Sequence, residues 1–299
     1  MNHEPIETDK KTKNSSEQEI VLKTEKLTKV FGGNRRIPFQ QITQLTAVNQ
    51  VSFSMYRGEL LGLLGESGCG KSTLAGMLMH LLKPTSGKIY LNGQEIQEMS
   101  EAEFRKKRKQ IQMIYQNPFD SLDPTMRIGR LLEEPMRIWM PELTQDMRTE
   151  RIRKMLTDCG LPEDCVIKYP GEFSGGQLQR ISIARALLIE PEILIADEII
   201  SALDVSIQNQ ILQLLIQMKE KYQLSILFIT HDLSVAKKMS DRVMVMREGK
   251  IREIGAPEKV FAESTDPYVR ELESAVFTFS GRVREFEGSS ACTESGHPL

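Results

Sequence analysis

An α/β fold is predicted, a doubly wound parallel sheet with a run of helices inserted between its strands. Three observations predict it. A glycine-rich stretch, residues 65–73, joins an apolar run to a helical pattern. Four short apolar runs each stop abruptly at a polar residue. From Asn117 to about Phe173, prolines 118, 124, 135, 141, 162 and 170 separate helical segments, and an α/β alternation resumes after Gly171.

Residues 1 to about 18 are charged and polar without periodicity and are expected to be disordered. Ile20–Leu22, Leu45–Val48 and Val51–Ser54 read as β-strands, with a Gly- and Pro-containing loop over Gly32–Pro38. The run Leu60–Leu64 then leads into Gly65, Glu66, Ser67, Gly68, Cys69, Gly70, Lys71, Ser72 and Thr73, and Leu74–Met79 reads as a helix. This is the strand–loop–helix setting that the phosphate-binding pattern G-x-x-x-x-G-K-[ST] requires, a pattern expected by chance in about 1% of chains this long. Its glycines let backbone N–H groups curl around an anion, and the helix that follows adds its positive end. Lys71 is placed to reach the β- and γ-phosphates of a nucleotide, and Ser72 to offer its hydroxyl to Mg2+.

Further along, Lys83–Gly87 ends the helix, and Lys88–Gly93 returns as a strand and turn. Residues 101–110 read as a charged helix whose basic run, Arg105–Lys109, invites a nucleic-acid or lipid reading. No aromatic residue interleaves it, so a solvated helix face is favoured. Ile193–Ala196 and Ser225–Ile229 read as buried strands, flanking a helix over Val205–Tyr222 with apolar residues at 207, 211, 214, 215 and 218. Val243–Ile251 reads as a hairpin turning at Glu248-Gly249. Residues 281–299 form a polar tail.

The polar residues at strand ends carry the chemistry. Leu60–Leu64 delivers the loop, Ile111–Tyr115 delivers Gln116, Ile193–Ala196 delivers Asp197-Glu198, and Ser225–Thr230 delivers His231-Asp232. Ligands of a doubly wound sheet sit at the carboxyl ends of its strands, so the four groups are expected on one edge. There Asp197 suits a carboxylate that holds Mg2+ through its waters, and Glu198 a general base for an attacking water. Gln116 suits an amide beside metal and γ-phosphate, and His231 a donor to phosphate or water. Alone, such a His is usually a cap and such an Asp-Glu pair is surface. Their ordered combination with the loop reverses that.

The totals bound the function classes. With 299 residues, 40% hydrophobic and 27% charged, the chain suits one large soluble domain or a domain with a subdomain. A formal charge of −2 gives no global bias toward nucleic acid or acidic lipid. No run of 18 apolar residues is present, and the polar N-terminus lacks the apolar core of a signal peptide, so membrane association is expected only through a partner. The four cysteines, at 69, 159, 165 and 292, form no C-x-x-C pair and are expected to be reduced. Cys69, in the loop at a helix N-terminus, is expected to be reactive and shielded from alkylation by ATP.

Phe173-Ser174-Gly175-Gly176-Gln177-Leu178-Gln179-Arg180 precedes a helix over Ile181–Leu188. Alone it reads as a glycine turn with Ser174 as N-cap, or as a second anion-ready helix end. Taken with Gly65–Ser72, Gln116, Ile193–Glu198, Ser201–Asp204 and His231, it resembles the signature motif of the ABC-type ATPases over about residues 20–275. That resemblance implies a RecA-like P-loop NTPase core with an antiparallel β subdomain and an inserted α-helical signature subdomain at about 117–180. The nucleotide-binding domain would span 19–275, between a tail at 1–18 and another at 276–299. It implies hydrolysis of ATP with Mg2+ held by Ser72, Gln116 and Asp197, and head-to-tail pairing of two such domains. The signature residues Ser174, Gly175, Gly176 and Gln177 would act in trans, with Ser174 and Gly176 on the γ-phosphate bound to the partner's loop. Asp204 would lie at the dimer seam, and Phe31 would stack on the base. Three positions depart from the family pattern: Phe173 for the commoner leucine, Leu178 for a basic or polar residue, and Ile199 for a proline.

Narrower features resemble the oligopeptide/dipeptide/nickel importer ATPases: Tyr115–Pro124, Ser201–Ile207 and Asp266-Pro267-Tyr268-Val269. Asn117–Pro124 is most like the second of their two ATPase subunits. That subfamily often carries a C-terminal cysteine cluster, and this chain has only Cys292 there. The implied role is an energy-coupling ATPase of a bacterial importer, peripheral on the cytoplasmic face of the cell membrane. Its implied partners are a second ABC ATPase subunit, two membrane permeases and an extracellular substrate-binding protein, with no nucleic acid. The cargo stays open between oligopeptides or dipeptides and nickel or a metallophore. Soluble ABC proteins that act on nucleic acid or ribosomes usually carry two such domains or a long coiled coil, and a phosphoryl-transfer kinase would share only the loop.

Overall fold

The computed structural model describes residues 19–32 and 44–274. The tails at 1–18 and 276–299, Cys292 and most of the Gly32–Pro38 loop lie outside the described residues. The chain opens on two long antiparallel strands, β1 (Ile20–Phe31) and β2 (Leu45–Tyr56). Leu45–Val48 and Val51–Ser54, expected as separate strands, are one. Gln50 takes a φ of 51° and an irregular register absorbs it, so the pairing carries on. Ile20–Leu22 likewise runs on to Phe31.

Next come β3 (Leu60–Leu64), α1 (Lys71–Leu78), β4 (Ser86–Leu91), β5 (Gln94–Glu95), α2 (Glu101–Arg105) and β6 (Ile111–Ile114). The charged helix expected over 101–110 is thus five residues long. A Ser100–Glu103 capping box starts it and Phe104 is its single buried residue. The basic residues that follow bring no apolar side chain to extend the packed face, so the chain leaves the helix in turns.

Three helices fill the interval before the next strand: α3 (Ile128–Trp139), α4 (Gln145–Asp158) and α5 (Gly175–Leu187). Then follow β7 (Ile193–Asp197), α6 (Val205–Tyr222), β8 (Ser225–Thr230), α7 (Leu233–Met239), β9 (Arg242–Arg247), β10 (Lys250–Gly255) and α8 (Pro257–Ala262). The hairpin between β9 and β10 turns at Glu248-Gly249, as expected, with φ of 50° and 76°.

The strands form two sheets. One is antiparallel, in the order β2-β1-β4-β5. The other runs β10-β9-β3-β8-β7-β6 and is parallel except at its β10 edge. Every residue of β3, β7 and β8 is buried, which is why these strands read as unbroken apolar runs rather than alternating ones. One core cluster joins α3–α6 to the parallel sheet, and a second fills the space between the two sheets around α1. A third packs α7, α8 and the 268–269 segment against β9 and Leu64.

Register then aligns the strand ends. Leu64 lies opposite Thr230, Asp197 opposite Ile229, and Ile114 opposite Ala196. The residues that follow these positions emerge together on one edge.

Candidate active site

Strand β3 ends at Leu64 and α1 begins at Lys71, so the glycine-rich loop turns between them. Two of its glycines are dictated by close approach. A Cβ on Gly65 would come within 2.3 Å of the Met246 carbonyl oxygen, and one on Gly70 within 2.2 Å of the Ala47 carbonyl oxygen. Gly70 also takes a φ of 110°, which side chains disfavour. Gly249 N–H donates to the Cys69 carbonyl at 2.9 Å, so the β9–β10 turn clasps the loop from outside.

The Lys71 side chain is only 4% exposed. Its ammonium donates to the Gly65 carbonyl at 2.7 Å and the Glu66 carbonyl at 3.0 Å, and meets Glu198 Oε1 at 3.4 Å. The other carboxylate oxygen of Glu198 meets His231 Nδ1 at 3.4 Å. Glu198 sits at a φ of 48°, a strained conformation for a side-chain-bearing residue and one that recurs at functional sites. Its N–H donates to the Ile229 carbonyl at 3.0 Å, and its carbonyl accepts from Ser201 N–H at 3.1 Å and Ser201 Oγ at 2.9 Å. Behind it, Ile199 and Ile200 are buried in the core. At the position where the resembled family often has proline, packing of an apolar side chain and these hydrogen bonds hold Glu198 in place.

Asp197 is 8% exposed beside the Ser72 hydroxyl, while its Oδ1 is buried without a partner. Burial pushes its carboxyl above the usual range. The Ser72 hydroxyl opposes this, the Glu198 charge adds to it, and Lys71 counters it. A buried carboxylate oxygen lacking a donor, next to a hydroxyl, is chemically fitted to a hard cation or its waters. Gln116 reaches the same edge, exposed, and its Nε2 donates to Ser201 Oγ at 3.1 Å. Its amide is thereby tied to the Glu198 backbone through Ser201, rather than to Ser72 or Asp197.

A cavity of about 460 Å3 opens here, lined by Leu64–Ser67, Glu198, His231, Leu233 and Leu272. Phe31 is 38% exposed at the end of β1, with Lys29 Nζ 5.2 Å from its ring centre. Its strand partner is Leu45, two residues before Ala47, whose carbonyl oxygen stands 2.2 Å from where a Cβ on Gly70 would fall.

The Cys69 expectation needs correction. The thiol is buried, and burial pushes its pKa up, with Lys71 only partly opposing. Burial outweighs the Lys71 charge and the N–H at the start of α1, which both favour the thiolate, so the thiol is a poorer nucleophile than its place in the loop suggests. Cys159 and Cys165 are also buried and free, as expected of reduced thiols.

The signature stretch behaves differently from the other site residues. Ser174 caps α5: its Oγ accepts from Gln177 N–H at 3.4 Å, and Gln177 Oε1 accepts from Ser174 N–H at 3.0 Å. Ser174 and Gly175 are exposed, and Gly176 is covered by Ile207 of α6. Among the described residues, no hydrogen bond or ion pair joins Ser174–Gln177 to Gly65–Thr73. Leu178 is fully buried and Phe173 packs against the same core, so these two departures serve packing. Asp204 stands exposed at the start of α6 without capping it, beside the 73%-exposed Val205.

Sequence reasoning does not reach Ser201 as the link between Gln116 and Glu198, nor Met246 and Gly249 as braces of the loop. Ser201 carries a faint signal, a hydroxyl three residues after the strained glutamate. The braces carry none, because β9 lies next to β3 only in the folded sheet.

Residues 48–201 match the family model described as ABC transporter. The chain is 43% identical over 264 residues to the oligopeptide transport ATP-binding protein OppF of Haemophilus influenzae, covering 88% of this chain and 80% of that one. It is 47% identical over 232 residues to OppF of Salmonella typhimurium, with 78% and 70% covered. The oligopeptide transport ATP-binding protein AppF of Bacillus subtilis is 43% identical over 263 residues, with 88% and 80% covered. Among solved structures, the dimeric ATP-binding cassette MJ0796 bound to ADP and phosphate superimposes with a TM-score of 0.70 at 27% identity, covering 79% of this chain and 98% of that one. CbiO1 of Clostridium perfringens gives a TM-score of 0.70 at 30% identity, with 82% and 92% covered.

Proposed function

Because the chain belongs to the ABC transporter family, we propose that it is the ATP-hydrolysing subunit of an importer for oligopeptides. The observation that carries the reading is the meeting of Lys71, Glu198 and His231 beside Asp197 and Ser72. ATP would be bound by the loop, with Lys71 trading its carbonyl and carboxylate contacts for β- and γ-phosphate oxygens. Ser72 and Asp197 Oδ1 would hold Mg2+, which when bound offsets the phosphate charge. Glu198 takes a proton from the attacking water as the water oxygen bonds to the γ-phosphorus, and the electron pair of the broken P–O bond leaves with ADP. His231, on the second oxygen of Glu198, orients that carboxylate. Phe31 is offered to the base.

The site is half of a larger one in this reading. Among the described residues Ser174–Gln177 make no hydrogen bond or ion pair with their own chain's loop, so they would be free to complete the phosphate loop of a second ATPase subunit, with Asp204 at the seam. The dimeric cassette among the similar structures supports such pairing. A groove of about 240 Å3 between β6, α3 and α5, with the exposed Ile138 on its rim, suits cytoplasmic helices of two membrane permeases. Gln116, two residues beyond the β6 strand that lines the groove, donates to Ser201 Oγ, which donates to the Glu198 carbonyl, and this path would carry permease motion to the site. No helix among the described residues is long and apolar enough to cross a membrane, which fits a peripheral subunit held by permeases. An extracellular binding protein would present the cargo, and the names of the relatives favour oligopeptides over nickel or a metallophore.

The test is fractionation and uptake together. Co-expressed with its permeases, the protein should sediment with membranes, and deletion of its gene should abolish oligopeptide uptake. A protein that stays soluble beside its permeases, or whose ATPase activity responds to nucleic acid, would overturn the reading.

A further inference from the structure

The loop 199–204 joins Glu198 to α6. Within it, Ser201 N–H donates to the Glu198 carbonyl at 3.1 Å and Leu203 N–H to the Ile200 carbonyl at 3.1 Å. Gln208, the fourth residue of α6, closes the loop from the helix side. Its backbone N–H donates to the Asp204 carbonyl at 2.8 Å, the first bond of the helix. Its Nε2 donates to the Leu203 carbonyl at 2.9 Å and to the Ile200 carbonyl at 3.1 Å. Both partners are acceptors, so both amide protons are used, and a carboxylate of the same shape could make neither bond. The loop in turn lies against the signature stretch. A Cβ on Gly175 would stand 3.5 Å from Leu203 Cδ2, and one on Gly176 would stand 2.5 Å from Ile207 Cγ2. Among the described residues, the exposed Asp204 carboxylate makes no hydrogen bond or ion pair.

We infer that Gln208 is a positioning residue for ATP hydrolysis, its amide fixing the loop that carries Glu198 at one end and Asp204 at the other. The same two bonds keep Leu203 beside Gly175. One side chain thereby sets the mutual placement of the general base, the seam residue and the signature stretch. The inference rests on the proposed reading of the site, in which a second ATPase subunit meets Asp204 and Ser174. A residue that merely supported α6 would show in unfolding alone. One that positions the loop should show in turnover, with ATP binding left in place, because no hydrogen bond among the described residues joins 199–208 to Gly65–Thr73.

The full chain is compared as wild type, Gln208→Glu, Gln208→Met, Gln213→Glu and Met218→Ala, each co-expressed with its permeases and second ATPase subunit. The measurements are ATPase kcat in membranes, and the Mg-ATP affinity and Tm of the purified chain. Both Gln208 variants should lose at least about fivefold in kcat, with Mg-ATP affinity within about twofold of wild type. Gln208→Glu should lose the more, since it sets acceptors against acceptors. Gln213→Glu makes the same charge change at an exposed position of α6 and should leave kcat in place. Met218→Ala removes a buried contact of that helix and should lower Tm without lowering kcat. An unchanged kcat in both Gln208 variants, a parallel loss of Mg-ATP affinity, or an equal kcat loss in Met218→Ala would overturn the inference. Full turnover by the wild-type chain as a monomer would instead overturn the reading on which it rests.

Discussion

Lys71 and Glu198 meet at 3.4 Å, the ammonium reaching from the first residue of α1 and the carboxylate from the residue that follows β7. The contact joins the cation proposed to bind phosphate to the residue proposed to take the proton of the attacking water. It also makes Lys71 a shared resource. The ammonium serves two loop carbonyls and partly offsets the charge of Asp197 behind it. Phosphate oxygens entering the loop compete for a cation already in position, which limits the reorganisation that binding requires.

Lys71→Ala removes that cation and leaves Gly65 and Glu66 carbonyls without their donor. Hydrogen bonds to charged groups contribute about 1.5–3 kcal/mol each, and every 1.4 kcal/mol is tenfold in affinity. ATP affinity should fall at least about tenfold by equilibrium titration. Wild-type affinity in this variant would contradict a phosphate role for the loop.

Glu198→Gln keeps the shape of the side chain and the backbone bonds from Ile229 and Ser201, which do not depend on the carboxylate. Binding should persist within a fewfold while turnover drops by about 10²-fold or more, the range expected when a general base is lost. His231→Ala should slow turnover less, because it deprives Glu198 of one contact and leaves the base itself intact. Single-turnover hydrolysis separates these from binding effects, and an active Glu198→Gln variant would remove Glu198 from its assigned role.

Much of this site is legible in the sequence because it lies at the ends of all-buried parallel strands. Leu60–Leu64, Ile193–Ala196 and Ser225–Thr230 announce themselves as apolar runs, and the residue after each run has a known edge of the sheet to occupy. What stays hidden depends on neighbours brought in by folding. Gln116 is readable as an edge residue, but its bond to Ser201 is not. Cys69 looks activated by its helix terminus, yet burial decides its protonation and reverses the reading. The break between Leu45–Val48 and Val51–Ser54 fails for a local reason, since one residue at positive φ lets a single strand continue. The five-residue α2 fails for another, because basic character says nothing about whether an apolar face continues beneath it.

Gly70→Ala tests the wedge that holds the loop. The new Cβ would lie 2.2 Å from the Ala47 carbonyl oxygen, at a φ of 110°. Left-handed backbone alone costs a side-chain-bearing residue about 1–2 kcal/mol, and a backbone oxygen cannot swing aside as a side chain end can. A loss of about 2 kcal/mol or more is expected, lowering Tm by about 4–8 °C, together with weakened ATP binding. At Gly68, where nothing lies within 4 Å of the added Cβ, alanine should destabilise less. Equal effects at the two positions would show that φ, rather than the Ala47 contact, sets the cost.

Cys159 offers a pH test of the helical part of the fold. It caps the C-terminal end of α4 with its thiol fully buried in the core shared with α5, and burial pushes its pKa up to about 12, with the Asp158 charge adding to the rise. The sign follows from which state holds the proton. Below about pH 9 both folded and unfolded chains carry a neutral thiol, so the group contributes its full packing stability. Above that the unfolded chain ionises while the folded chain cannot, and stability is lost at about 1.4 kcal/mol per pH unit until the folded thiol itself titrates. Cys159→Ala should therefore be less stable than wild type at pH 7, through a small cavity, but its deficit should shrink as pH rises through 9 toward 11. Denaturant unfolding of both proteins across that range measures the difference directly, free of the tyrosines and lysines that titrate alike in each. Parallel stability curves would mean that the thiol is reached by water and is not held in its neutral form by the core.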